Sequence, residues 1–160
     1  MAGPVLNTWS APNVFWLASG SAEGATSINA FDNALLNAGV GNLNLVKVSS
    51  VVPTGAVMLD EPIPISPGTL VPAVYATRHS NVSGEQICSV IGIGLSDDSH
   101  GMIFEHSSDS AEKAERAVRS MVEDAFKQRG MNLARLMIRM AEHRVETLGC
   151  TVSAVVLWWR

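Results

Sequence analysis

The sequence is short of positive charge. Its 11 Lys and Arg stand against 15 Asp and Glu, for a formal net charge of −4. A nucleic acid or an acidic membrane surface would call for a clustered basic face, so no nucleic-acid partner and no membrane is expected, and a cationic small molecule fits better. Cysteine is scarce too. Cys88 and Cys150 lie far apart and form no Cys-x-x-Cys pair, which reads as two reduced core thiols. No stretch approaches the roughly 20 apolar residues of a membrane span, and no basic segment followed by an apolar run opens the chain. A cytoplasmic protein is the expectation, and Asn81-Val82-Ser83 is set aside as a glycosylation acceptor for want of a secretory signal.

Familiar site signatures are missing as well. Gly39-Val40-Gly41 and Gly92-Ile93-Gly94 each begin a dinucleotide-like pattern, but Asn44 and Asp97 stand where the third glycine belongs. His79, His100, His106 and His143 are scattered without zinc spacing, so no metal is expected. There is no Gly-x-Ser-x-Gly elbow.

What is present is apolar material. Hydrophobic residues make up 47% of the 160 and charged residues 16%, enough for one domain with a real core over residues 1–160. Val14 to Ala18 reads as a buried strand ending at Ser19-Gly20. Ser27 to Ala38 reads as a helix with Gly39 at its end. Leu43 to Val48 alternates as a strand that runs into Ser49-Ser50. Five prolines between Val52 and Pro72 exclude a helix and leave an extended loop with edge pairing at best.

Val71 to Thr77, Gln86 to Leu95 and Gly101 to His106 read as strands. Ser108, Asp109 or Ser110 can cap a long helix that Gly130 ends. Arg135 to Val145 and Thr151 to Trp159 close the chain as strands, the last nearly all apolar and therefore central or at a subunit interface. This order predicts an α+β fold, a sandwich of two β-sheets with helices packed on the outer faces.

The run from Ser27 through Asn42-Leu43-Asn44-Leu45 to Ser49-Ser50-Val51-Val52-Pro53 resembles the processing region of the pyruvoyl-dependent arginine decarboxylases. Similarity continues through Gly68 to Pro72, Gly84-Glu85, Gly101 to Glu105, and Leu148 to Trp158, almost the whole chain. A bare Ser-Ser pair is common, but Asn-x-Asn-Leu before it, a proline three residues after it and a later Glu make the combination specific.

The resemblance implies self-cleavage between Ser49 and Ser50 into fragments 1–49 and 50–160. If the turn strains that peptide, the Ser50 hydroxyl attacks the Ser49 carbonyl and gives an ester; elimination then cuts the chain, and the dehydroalanine left at residue 50 hydrolyses to a pyruvoyl group and ammonia. Such a carbonyl forms a Schiff base with the substrate amine and draws off the electrons released as carbon dioxide leaves, so neither PLP nor a metal is implied.

In the same likeness Glu105 is the proton donor and Asn44 supports cleavage by donating to the developing oxyanion. Asp32 faces the guanidinium, and Ile28, Leu35 and Val51 line the methylene part of the substrate. Read without the resemblance, Glu105 is a surface glutamate at a strand end, Asn44 a turn residue, Asp32 a capping or dipole residue, and the three apolar residues ordinary core.

The implied reaction converts L-arginine to agmatine, for polyamine synthesis or for acid resistance, in a homo-oligomer that the family makes a trimer with active sites between neighbours. The apolar final strand, ending in Trp158-Trp159, adds a reason to expect association. Two alternatives stay open: a pyruvoyl-dependent decarboxylase of another amino acid, and an uncleaved domain that serves as a binding or assembly subunit.

Overall fold

A computed structural model describes residues 10–160. Its elements in chain order are β1 (Val14–Glu23), α1 (Ser27–Asn37), β2 (Asn44–Lys47), β3 (Val51–Val52), β4 (Val57–Met58), β5 (Leu70–Ser80), β6 (Gln86–Leu95), β7 (Gly101–Ser108), α2 (Ala111–Arg129), β8 (Arg135–Arg144) and β9 (Gly149–Trp158). Five strands form one sheet in the order β2-β5-β9-β1-β4, and four form a second in the order β3-β7-β6-β8. Helix α1 lies on the outer face of the first and α2 on that of the second, which is the expected α+β sandwich.

Both helices begin on a side-chain cap. The Thr26 hydroxyl accepts from the Asn29 amide at 3.1 Å, and Ser110, of the three candidates, accepts from Lys113 at 3.3 Å. Gly130 ends α2 at φ +63°, a left-handed conformation that glycine adopts without a Cβ penalty.

The first strand is longer than the sequence suggests. Pairing with β9 runs from Val14↔Trp158 to Glu23↔Gly149, so Ser19-Gly20 does not end it. Gly20 has a different purpose. A Cβ there would sit 2.5 Å from the Ala34 carbonyl oxygen, so its absence lets α1 rest on the sheet. Gly92 and Gly94 do the same on β6, beneath Val118, Val122 and Phe126 of α2.

The final strand is central in the five-stranded sheet. Its residues from Gly149 to Leu157 are all buried, between α1 on one side and the second sheet on the other. Its apolar character is thus satisfied within the chain, and it gives no reason for association. The exposed large apolar side chains among the described residues are Trp159, just past the strand, and, elsewhere, Leu36, Val57, Val82 and the four residues Ile28, Val46, Val51 and Leu70, which are 80%, 45%, 44% and 68% exposed.

The layer between the sheets changes along its length. Around Phe15, Val52, Ile91, Ile103, Val155 and Leu157 it is wholly apolar. Toward the other end it turns polar, where the buried Ser89 hydroxyl lies 2.8 Å from that of Thr151, and Ser153 donates to the Ser89 carbonyl at 2.7 Å. Each buried hydroxyl therefore has a partner, as burial requires.

Candidate active site

Strand β2 belongs to one sheet and β3 to the other, so the chain crosses the sandwich between them. Ser49-Ser50 is that crossing. Just before it the Val48 amide donates to Ala73 at 3.0 Å, and just after it the Ser50 carbonyl accepts from Ile103 at 2.7 Å while Val51 pairs with Met102. Both flanks are held, each by a different sheet. The Ser49 carbonyl itself accepts no hydrogen bond among the described residues. Strain is not stored there as a left-handed backbone, because no described non-glycine residue has positive φ. The two serines open on a cavity of ≈ 590 Å³ whose walls include Val46, Val51, Leu70 and Trp159.

A second cavity, of ≈ 340 Å³, lies against α1 and shares no residue with the first. Ile28, Asp32, Leu35, Asn44 and Tyr75 line it. Leu45 on this side joins the core beneath α1, whereas Val48 joins the core between the sheets, so β2 separates the two cavities.

Thr26 already caps α1, whose first turn holds no acidic residue, so Asp32 is not a cap. Its carboxylate makes no hydrogen bond or ion pair among the described residues, which leaves it open to a cation. The Asn44 amide donates to the Gly68 carbonyl at 2.9 Å. It stands five residues before Ser49, about 16 Å along an extended chain. Within one chain, then, Asn44 meets Asp32 rather than the serines. Ile28, being 80% exposed, is not core, whereas Leu35 is buried at 8%.

Glu105 lines neither cavity and lies on β7 two residues beyond Ile103, whose amide donates to the Ser50 carbonyl. Its carboxylate is 3.8 Å from the Lys47 ammonium, which in turn stands 4.9 Å over the Tyr75 ring. Burial pushes the Glu105 carboxyl up from its ordinary range, and Lys47 pulls the other way without cancelling it. The sequence reading missed Lys47, Tyr75, Leu70 and Trp159 as neighbours of the site. Lys47 alone left a signal, as a charge following Leu43 and Leu45 in their alternation.

A family model described as pyruvoyl-dependent arginine decarboxylase matches residues 14–159. The chain belongs to the pyruvoyl-dependent arginine decarboxylase family. It is 42% identical over 153 residues to the pyruvoyl-dependent arginine decarboxylase of Methanocaldococcus jannaschii, covering 93% of this chain and 92% of that protein. Its likeness to the pyruvoyl-dependent arginine decarboxylase of Pyrococcus abyssi is 43% over 155 residues, covering 94% and 98%. With that of Thermococcus kodakarensis it is 40% over 152 residues, covering 94% and 97%.

Membership of the pyruvoyl-dependent arginine decarboxylases makes the chain a carboxy-lyase and implies a covalently held pyruvoyl group. Ser50 fits that group. A chain end created there would stay anchored to β7 through its own carbonyl and through Val51. It would also face a largely apolar cavity. Cys88 and Cys150 are free and buried, and burial raises both thiols, so neither competes as a nucleophile. Among the described residues no three His, Cys, Asp or Glu side chains cluster to hold a metal, and no helix is long and apolar enough to cross a membrane.

Proposed function

We propose that this chain cleaves itself between Ser49 and Ser50 and, with the pyruvoyl group so formed at residue 50, decarboxylates L-arginine to agmatine. The observation that carries this reading is the position of the Ser49-Ser50 peptide, the crossing between two sheets that hold its flanks independently.

The bonds made and broken in cleavage involve only the chain's own atoms and water, with Asn44 as a hydrogen-bond donor. The Ser50 hydroxyl oxygen bonds to the Ser49 carbonyl carbon, the Ser49–Ser50 C–N bond breaks, and the nitrogen takes the hydroxyl proton. Loss of the Ser50 α-proton then breaks the ester C–O bond and releases the Ser49 carboxylate. Water replaces the nitrogen left on residue 50, which departs as ammonia. The fragments stay together because β1 sits between β4 and β9, and β2 lies on β5.

When formed, the pyruvoyl group supplies the electron-withdrawing carbonyl that decarboxylation needs. The remaining work falls to side chains. Asp32 takes the guanidinium through paired charge-assisted hydrogen bonds, which favours arginine over amino acids with short or neutral side chains. Ile28, Leu35 and Val51 cover the methylenes. Glu105, whose carboxyl burial shifts upward and so toward holding its proton, delivers a proton to the carbon that loses carbon dioxide.

Asp32 and Ser50 lie in separate cavities on two sides of β2. One arginine reaches both only where the recognition face of one protomer meets the processing face of the next. The exposed Ile28, Val51 and Leu70 on these faces support such a junction. A trimer of cleaved protomers in the cytoplasm is the assembly we assign, the number three coming from the family. Asn44 would then serve the Ser49 carbonyl of a neighbour.

Intact mass spectrometry tests the reading. The native protein is expected as fragments 1–49 and 50–160 that form agmatine from arginine, and Ser50→Ala as one inactive chain. Agmatine formation by an uncleaved chain would overturn it.

A further inference from the structure

We infer that Lys47 is a positioning residue that acts through Glu105, its ammonium spanning the gap between the recognition side and the crossing and setting how readily the Glu105 carboxyl holds its proton. The inference rests on the reading of Glu105 as proton donor.

Lys47 is the last residue of β2, two before Ser49. Its ammonium touches both sides of the strand: Tyr75, whose ring belongs to the core beneath α1, and Glu105 on β7 of the other sheet. A cation over an aromatic face is held electrostatically, so Tyr75 fixes where the charge stands. The pair is a loose one. At 3.8 Å, with the lysine side chain 52% and the glutamate 29% exposed, it perturbs a proton equilibrium without locking the carboxyl in its ionised form.

The other titratable groups near Glu105 do not take this role. Tyr75, Arg78 and His79 lie on β5, and His106 follows Glu105 on β7 with its side chain on the opposite face of the strand. The charged residues of α2 sit behind β7, beyond Phe104, while β3 and the neighbouring stretch of β6 contribute only apolar side chains. Arg139 shares this face of the sheet but lies a strand further off, beyond Ile91; among the described residues Lys47 is the cation that pairs with the carboxylate, and its pull opposes burial. A proton donor works best when its pKa lies near the working pH, and burial offset by a half-screened cation is a way to hold it there.

The test is a ¹³C NMR titration of the Glu105 carboxyl in the cleaved protein, assigned by its loss in Glu105→Gln, beside the pH profile of kcat/KM. Removing the ammonium in Lys47→Met is expected to raise the titration midpoint by about 0.5 to 1 pH unit, the low end for an opposite charge at this distance because the pair is half-exposed. The alkaline limb should rise with it, since the active, protonated acid then survives to higher pH. Lys47→Gln should behave as Lys47→Met does, and Lys47→Arg should restore the native midpoint.

An unchanged midpoint in Lys47→Met and Lys47→Gln would overturn the inference. A midpoint that moves while the limb stays fixed would uphold Lys47's hold on Glu105 but remove Glu105 as proton donor.

Discussion

The two sides of β2 share a strand and little else. On one, Ser49 and Ser50 sit among exposed apolar side chains where the chain changes sheets; on the other, a helix presents to a smaller cavity a carboxylate, Asp32, that has no partner among the described residues. Bond-making chemistry needs a held but reactive backbone, whereas recognition of a cation needs a rigid, unsatisfied acceptor. A two-sheet sandwich separates these needs, because an edge strand can pass its end to the opposite sheet while its start stays beneath a helix. On the proposed function, the separation makes each cavity of a single chain half of a site.

The sharpest way to break this comparison is to damage each side in a different chain. Ser50→Ala and Asp32→Ala are each expected to lose nearly all arginine decarboxylation. Coexpressed, they should recover about one quarter of native activity, because random pairing around a closed ring gives that share of junctions with both residues intact. Activity equal to the sum of the parents would place Asp32 and Ser50 in one site of one chain.

Next in size, Glu105→Gln should still cleave yet lose about 10²-fold in decarboxylation, as removal of a general acid does. Fragment masses and agmatine assays separate the two steps, and full activity would move the proton donor elsewhere.

On the recognition side, Asp32→Asn should leave cleavage intact. It should raise KM for arginine about 10- to 100-fold, the worth of about 1.5 to 3 kcal/mol of charge-assisted hydrogen bonding. A neutral ureido analogue should respond far less, and equal effects on both would remove Asp32 from guanidinium binding.

The smallest effect belongs to a residue that lines neither cavity. Glu23, at the end of β1, accepts from the amides of Glu146, Thr147 and Leu148 and lies 2.7 Å from His143. Burial acts to raise its carboxyl, but the amides and His143 hold it below the ordinary value of 4.5. A depressed carboxyl contributes stability that is present above the ordinary value and fades as pH falls through the folded one. Glu23→Gln should therefore cost about 1 kcal/mol near neutral pH, with its denaturation midpoint converging on the native one in acid and kinetics unchanged. A constant difference down to acid pH would show that the charge is not the source.

Much of this was legible in the residues. Gln86 to Leu95 is the strand expected, Gly130 ends the long helix, and the order of elements implied the sandwich, because hydrophobic period and glycine chemistry are local. The Ser49-Ser50 pair that we propose as the cleavage site could be picked out for the same reason: the atoms that would attack and be attacked are neighbours in the chain. What the sequence could not reveal is whatever depends on which face meets which.

The apolar run of β9 was expected to be central or at an interface and proved to be a central strand, a choice the sequence left open because an apolar run cannot tell burial by a sheet from burial by a subunit. Gly92 and Gly94 looked like a failed nucleotide motif and are clearance for α2, a contact between residues distant in sequence. Likewise only the tertiary structure decided that Asn44 sits with Asp32 rather than with Ser49, and that Lys47 stands between Tyr75 and Glu105. The sequence by itself determined the chemistry that this chain carries; the tertiary structure decided which of those groups share a cavity, because proximity across sheets is set by packing and not by spacing along the chain.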